Sequence, residues 1–219
     1  MFSVLRTRLL CGTAAERMPL TRLNEVGFVG RVGTASNPRN IAPVITSNVI
    51  NGSKTISFDC ISRKAAAIAV HATAIANTKN AENEIAAFLK IEISEDPRAD
   101  QEIPIGRGLT TFKITMFPSV RPEVNPITAR FARRMRVGGA VSANELAKNI
   151  HSLYLKRTPV ILECMGDAAL GVVSHGLGIF NQRVGSHNMV AYLRMISGKA
   201  NDGADIVKME FQLSEKESD

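Results

Sequence analysis

The chain contains the same sequence pattern twice, and this repetition constrains its fold more than any other feature. The segment 58–60 (Phe-Asp-Cys) is followed eleven residues later by His71, and the segment 162–164 (Leu-Glu-Cys) is followed eleven residues later by His175. The offset of 104 residues persists downstream, and a one-residue gap changes it to 105 upstream. A long fixed period indicates repeated structural units, and copies of roughly 80–90 residues have the size of a small independent core. Because a two-fold surface can also pair within one polypeptide, we expect an intramolecular pseudo-dimer.

The hydrophobic periodicity of each copy predicts the element order β-α-β-α-β-β. In copy one (26–117) the predicted strands are 26–33, 54–60, 85–93 and 110–117, and the predicted helices are 37–51 and 62–77. In copy two (134–214) the predicted strands are 136–141, 158–164, 189–197 and 205–213, and the predicted helices are 143–156 and 167–182. The predicted fold class is α/β, in the form of a two-layer α+β arrangement. We expect the copies to pack through the second helices, around 65–76 and 169–179, and not through the hairpins.

Two segments lie outside the copies. The connection 118–133 contains three prolines, which favour an extended path, and residues 127–135 are predicted to form a short helix carrying Arg130, Arg133 and Arg134. The tail 215–219 is charged and is predicted to fray.

The N-terminal segment 1–25 has the composition of a mitochondrial transit peptide. Four arginines lie among apolar residues, and the first acidic residue is Glu16. This pattern is typical of import signals, although an ordinary basic tail has a similar composition. We therefore predict a location in the mitochondrial matrix.

Composition and charge limit the classes of function. Of the 219 residues 45% are hydrophobic, and no apolar run is long enough to span a membrane. The formal net charge of +7 is spread over the whole chain. It permits a polyanionic partner without requiring one, since a solubilising surface charge would look the same.

Catalytic and metal-binding signatures are absent from the sequence. There is no GxxxxGK[ST], HExxH or GxSxG motif, and the glycines of segment 27–33 do not open a helix as a GxGxxG motif would. His71 and His175 have no further ligand at metal-binding spacing, so we predict that they are structural. The sequence thus predicts a protein that is not an enzyme and has no cofactor, metal or small-molecule substrate.

The three cysteines are scattered, which indicates a reducing compartment without a disulfide framework. Cys60 and Cys164 occupy matched positions before a predicted helix. We expect buried apolar thiols at the ends of core strands. Acidification of the thiols by the helix dipole is the alternative.

Residues in both copies resemble the Alba fold. Segment 137–147 reads VGGAVSANELA and segment 166–173 reads GDAALGVV, and this pattern of small residues is closest to bacterial stage V sporulation protein S. The resemblance covers about residues 27–117 and 134–214. Copy one departs from the pattern, because Ser62-Arg63-Lys64 stands where copy two has Gly166-Asp167-Ala168.

The resemblance implies nucleic-acid binding without catalysis, through basic loops at helix starts and through the hairpins. Carried over by position, the implied contacts are Arg39, Arg63, Lys64 and Arg107 in copy one and Lys148 in copy two. The connection adds Arg130, Arg133 and Arg134. Asp167 would repel phosphate, so binding should be led by copy one. For Arg63 and Lys64, a solvated helix start is the alternative.

From these features we expect a non-catalytic, RNA-associated mitochondrial protein. It would bind RNA backbone itself, serve as a structural subunit of a ribonucleoprotein such as a ribosome or an RNA-processing complex, or do both. A protein-interaction scaffold without nucleic acid is the alternative.

Overall fold

The fold is mixed α/β. It is taken from a computed structural model that describes residues 22–24, 27–95, 110–122, 131–184, 189–199 and 205–215. Within these ranges, nine strands form one sheet, and four α-helices are present. Residues 1–21, which make up most of the predicted transit peptide, and Arg107 and Arg130 lie outside the described residues.

The elements of the first half end with a long hairpin. They are β1 (Arg22–Asn24), β2 (Gly27–Val32), α1 (Pro38–Ile45), β3 (Thr55–Cys60), α2 (Arg63–Lys79), β4 (Ile85–Glu95) and β5 (Thr110–Val120). A π-helical turn, Thr46–Ile50, continues α1. The second half contains β6 (Arg133–Val137), α3 (Ala143–Leu155), β7 (Val160–Cys164), α4 (Asp167–Val184), β8 (Met189–Lys199) and β9 (Asp205–Glu215).

Apart from β1, which has no counterpart in the described part of the second half, the sheet has the same strand order on both sides of its centre. The order is β1-β2-β3-β5-β4-β8-β9-β7-β6, so that β4 and β8 meet in the middle. The central antiparallel pair joins Phe88 to Tyr192, two residues that are 104 positions apart in sequence. The two halves therefore meet at the same position of the repeat.

Both the second helices and the hairpin strands join the two halves. Helices α2 and α4 pack against each other, as expected, and a Cβ added at Gly171 would lie 3.5 Å from the Cβ of Arg63. Our expectation that the hairpins would not take part was wrong, because β4 pairs with β8. These two strands carry apolar residues on both faces, so leaving them exposed as sheet edges would be less favourable than pairing them.

Two matched asparagines strengthen the short central junction. Asn77 of α2 donates to the Ala87 and Leu193 carbonyls at 2.8 and 2.9 Å, and its Oδ1 accepts from the Ala87 N–H at 2.8 Å. Asn181 of α4 donates to the Ile91 carbonyl at 2.8 Å. Each asparagine thus binds a strand of the opposite half, where the direct β4–β8 pairing ends. Buried backbone groups need such partners.

The helices lie on one face of the sheet, since alternate strand residues join the helices in a single core. The other face carries a small apolar cluster at its centre, which contains Phe88 and Tyr192. Arg121 contacts this cluster through the Tyr192 hydroxyl and ring. It also donates to the carbonyl of Asn80 at 2.6 Å and to that of Asn83 at 2.9 Å.

The connection between the copies differs from our prediction at both ends. Strand β5 extends to Val120, and the pair Ala87–Pro118 is possible because the polar backbone groups of Ala87 bond to Asn77 rather than to β5. Residues 133–135 belong to β6 and not to a short helix. The Arg133 N–H donates to the Pro159 carbonyl, and pairing with β7 outweighs the helix propensity of Arg and Met. The following glycines end β6 at Val137, earlier than predicted.

Candidate nucleic-acid interface

Helix α2 exposes a single line of side chains. Between Ala65 and Asn77 every residue is buried except His71, which is half-buried. Lys64, His71 and Thr78 are seven residues apart, close to two helical turns, so they share one face. Arg63 and Lys79 extend this line at its two ends. We call these five residues the α2 line.

Sequence and capping explain the start of this line. The side chain of Ser62 accepts a hydrogen bond from the Ala65 N–H at 3.1 Å, which is the usual role of serine at a helix N-cap. Arg63 and Lys64 then occupy the first turn and are exposed. Cations are disfavoured by the helix dipole there. Local helix stability therefore does not account for this pair.

The matched line on α4 has a different charge. It consists of Asp167, Ala168, His175, Gln182 and Arg183. The α2 line carries three cations and no acid, whereas the α4 line carries one acid and one cation. Two helices that share a fold position thus present surfaces of net charge +3 and 0.

Arg39 lies close to the middle of the α2 line. The Asn37 side chain caps α1 by accepting from the Arg39 N–H at 2.9 Å, and this leaves the exposed Arg39 side chain at the helix start. Burial lowers the pKa of His71, Asp167 raises it, and the positive charge of Arg39 lowers it again. The net pKa lies below the usual value, which favours a neutral imidazole.

Arg63 lies beside α4 rather than standing alone. Burial and the nearby charge of Arg63 lower the pKa of His175, whose ring packs edge-on against Phe112 at 5.7 Å between centroids. His71 and His175 are therefore packed residues of the helix layer. In the part of the chain that the structure describes, no group of three or more His, Cys, Asp or Glu residues is arranged to hold a metal ion.

The arginines of β6 lie at the far edge of the sheet, away from the α2 line. Arg134 is ion-paired with Glu163 at 2.7 Å and with Glu210 at 3.0 Å, and these pairs raise its pKa. Arg133 is exposed on the same strand. A phosphate at Arg134 would have to compete with two carboxylates.

Lys148 is exposed on α3 in copy two, and α3 packs against α4. Sequence reasoning missed two residues that the structure places with Arg39, Arg63 and Lys64, namely His71 and Lys79. The seven-residue spacing of Lys64, His71 and Thr78 was visible in the sequence. Its significance depends on every intervening residue being buried.

The matched cysteines are buried ends of core strands, as expected. Burial raises the pKa of the Cys164 thiol to about 12, and burial together with Asp59 raises that of Cys60 further. This direction is opposite to acidification by a helix dipole, so neither thiol is activated.

In comparisons with known proteins, no family model matches the chain and no curated protein is significantly similar to it. Among the described residues, no helix is both long and apolar enough to cross a membrane.

Proposed function

We propose that this chain is a non-catalytic, RNA-associated protein made of two tandem Alba-like domains that form an intramolecular pseudo-dimer. Its RNA contacts are made mainly by copy one, through the phosphate backbone. It acts in the mitochondrial matrix, on its own or as a structural subunit of a ribonucleoprotein. The repeated element order and the symmetric sheet centre support the pseudo-dimer.

The cationic α2 line is the observation that carries this proposal. Arg63 and Lys79 are sixteen residues apart, about 24 Å along the helix axis, and Arg39 lies beside the line near its middle. None of these cations forms an ion pair with a residue that the structure describes. Asp167 of copy two lies close enough to His71 to raise its pKa, but the exposed cations at and beside the line outnumber this acid. Exposed cations release condensed counterions when they bind phosphates, and that release drives backbone binding with little dependence on sequence.

A structural-subunit role is favoured by a different observation. Ile61 and Met165 are matched residues just before the second helices, and they are 44% and 58% exposed. Exposed apolar side chains at equivalent positions suit contacts with protein. Because they occur in both copies, they favour contacts with protein at the starts of both second helices. Asp167 and the paired Arg134 make copy two the less favourable half for RNA.

The test is the affinity of the full chain for a single-stranded RNA of mixed sequence at several salt concentrations. We expect the double variant Arg63→Ala/Lys64→Ala to bind more weakly. The slope of log affinity against log salt should fall by about 1.4, which corresponds to two lost contacts to single-stranded phosphates.

A matched control removes two exposed cations elsewhere, Lys54→Ala/Lys156→Ala, and should leave the salt slope unchanged. Equal losses in both double variants would mean that only the total charge matters. If the parent chain has no salt-dependent RNA affinity, the proposal is wrong and the scaffold without nucleic acid becomes the better account.

A further inference from the structure

A cleft of about 440 Å³ lies where α1, α2 and β8 meet. Its lining includes Pro38, Arg39, His71, Ile75, Lys79 and Met195. Met195 belongs to copy two, and the other five residues belong to copy one. Copy one therefore forms most of the cleft, and copy two contributes the wall at Met195. Its volume is within the range of roughly 300–1,000 Å³ that is typical of small-molecule sites.

Both ends of the cleft carry positive charge. Arg39 lies near His71, and Lys79 lies eight residues further along α2, about 12 Å along the axis. Both side chains are exposed. Neither forms an ion pair within the described residues. A guanidinium and an ammonium with free donors are suited to binding phosphate oxygens.

The wall between these cations is mainly apolar. Ile75 lies one turn after His71 on α2, and Met195 lines the cleft from β8. The backbone of Met195 is fixed, since its N–H donates to the Thr78 Oγ1 at 3.0 Å. A methionine sulfur and a neutral imidazole both make favourable contacts with flat aromatic rings. Cationic ends and an apolar wall together match a nucleotide better than a bare phosphate.

Within the described residues, copy two has no equivalent cleft, because different residues at the matched positions fill the space. An added Cβ at Gly178 would overlap the Ile93 side chain, so α4 lies directly against β4 there. The residue that matches Ile93 on the cleft side is Ser197, which is small and exposed. Arg183, the match of Lys79, donates to Asn144, the match of Arg39, at 3.3 Å. Copy two thus fills the space that copy one leaves open.

We propose that this cleft binds one nucleotide of single-stranded RNA, with its flanking phosphates on Arg39 and Lys79 and its base against Ile75, Met195 and His71. That the nucleotide belongs to RNA rests on the proposed function. That the ligand is a nucleotide rests on the charges and the apolar wall of the cleft. The base contacts Met195 of copy two, so the complete site requires both copies.

The test follows the methyl NMR signal of Met195 in the full chain, assigned by its absence in Met195→Leu. The probes are adenosine 5′-monophosphate, adenosine, inorganic phosphate and a single-stranded oligoadenylate. We expect the oligoadenylate and the monophosphate to shift this signal at concentrations where adenosine or phosphate alone does not.

Variants at the cations supply the second measurement. Arg39→Ala and Lys79→Ala should each weaken oligoadenylate binding by about two- to fivefold, as expected for one exposed ion pair. The matched variants Asn144→Ala and Arg183→Ala should bind like the parent. Thermal unfolding of each variant checks that the fold is kept.

The outcomes separate this proposal from the proposed function. RNA binding that depends on Arg63 and Lys64 but leaves the Met195 signal unchanged would overturn the cleft proposal alone. A Met195 shift with the monophosphate and none with the oligoadenylate would overturn RNA as the occupant. Absence of a shift with any probe, together with absence of RNA binding, would overturn both.

Discussion

At the scale of single residues, one matched position of the repeat carries opposite charges in the two copies. Glu210 faces Glu163 in copy two, and the matched pair in copy one is Lys113 and Asp59. Glu210 is only 1% exposed. Burial by itself would raise its pKa. Hydrogen bonds from Arg194 and Gln212 and the charge of Arg194 lower it below the usual value.

We predict that Arg194→Ala strongly destabilises the chain. Arg194 donates to Glu210 Oε1 from Nε at 3.1 Å and from Nη2 at 2.8 Å. Its removal leaves a buried carboxylate with fewer partners, at a cost of about 3 kcal/mol in the free energy of unfolding. The matched control is Lys90→Ala, which removes a cation paired with the exposed Glu92 and should cost less than about 1 kcal/mol. Urea denaturation at neutral pH measures both, and equal losses would contradict the prediction.

The same cluster predicts a pH dependence. Because the folded-state pKa of Glu210 is lowered, its ionised form stabilises the fold above the unfolded-state pKa, about 4.3. That stabilisation is lost as the pH falls through the lower, folded-state pKa. The stability difference between the parent and Arg194→Ala should therefore narrow below about pH 4. A difference that stays constant from pH 7 to acid would show that the carboxylate charge is not responsible.

At the scale of elements, glycine replaces alanine three times when α4 is compared with α2. Gly171, Gly176 and Gly178 match Ala67, Ala72 and Ala74. The positions differ in the space that a methyl group would find. At Gly171 an added Cβ would meet Arg63 at 3.5 Å, an ordinary contact, whereas at Gly178 it would overlap Ile93.

We predict opposite effects for two alanine substitutions on α4. Gly171→Ala should stabilise the chain by up to about 1 kcal/mol, the gain in helix propensity. Gly178→Ala should destabilise it, since overpacking of about 1–3 kcal/mol exceeds that gain. Each variant is the control for the other, and thermal unfolding compares them. Stabilisation by Gly178→Ala would mean that Ile93 moves away at little cost.

Sequence periodicity predicted the helices and most strands well, and it was least successful where pairing with a distant strand decides the structure. The burial pattern of β3 and the cap at Ser62 are local and could be predicted. The bounds of β6 depend on β7, and the tolerance of Pro118 depends on Asn77. For the candidate site, Arg39, Arg63 and Lys64 were predicted from the family resemblance. Lys79 and the cleft were not, because they depend on how β8 of the other copy packs on α2.

At the scale of the whole molecule, the repeat produces one continuous sheet instead of two separate sheets. Few direct backbone pairs cross the centre, since β4 and β8 pair only at Phe88–Tyr192 and Leu89–Ala191. The contacts of α2 with α4 and the two asparagines add to this junction. Sequence similarity between the copies predicted a pseudo-dimer, but equal copies can join through any of several surfaces.

We therefore predict that the two halves unfold together. Cys60 and Cys164 are buried at matched strand ends, and their raised pKa values keep both thiols unreactive until the surrounding structure opens. In a Cys11→Ser variant, thiol labelling at increasing denaturant, followed by peptide mass analysis, should give one shared midpoint for the two cysteines. Asn77→Ala leaves the buried backbone groups of Ala87 without their partner and should lower both midpoints by the same amount. If Cys164 is labelled at a lower denaturant concentration than Cys60, the copies unfold separately. The cleft between them would then open before the α2 line is lost.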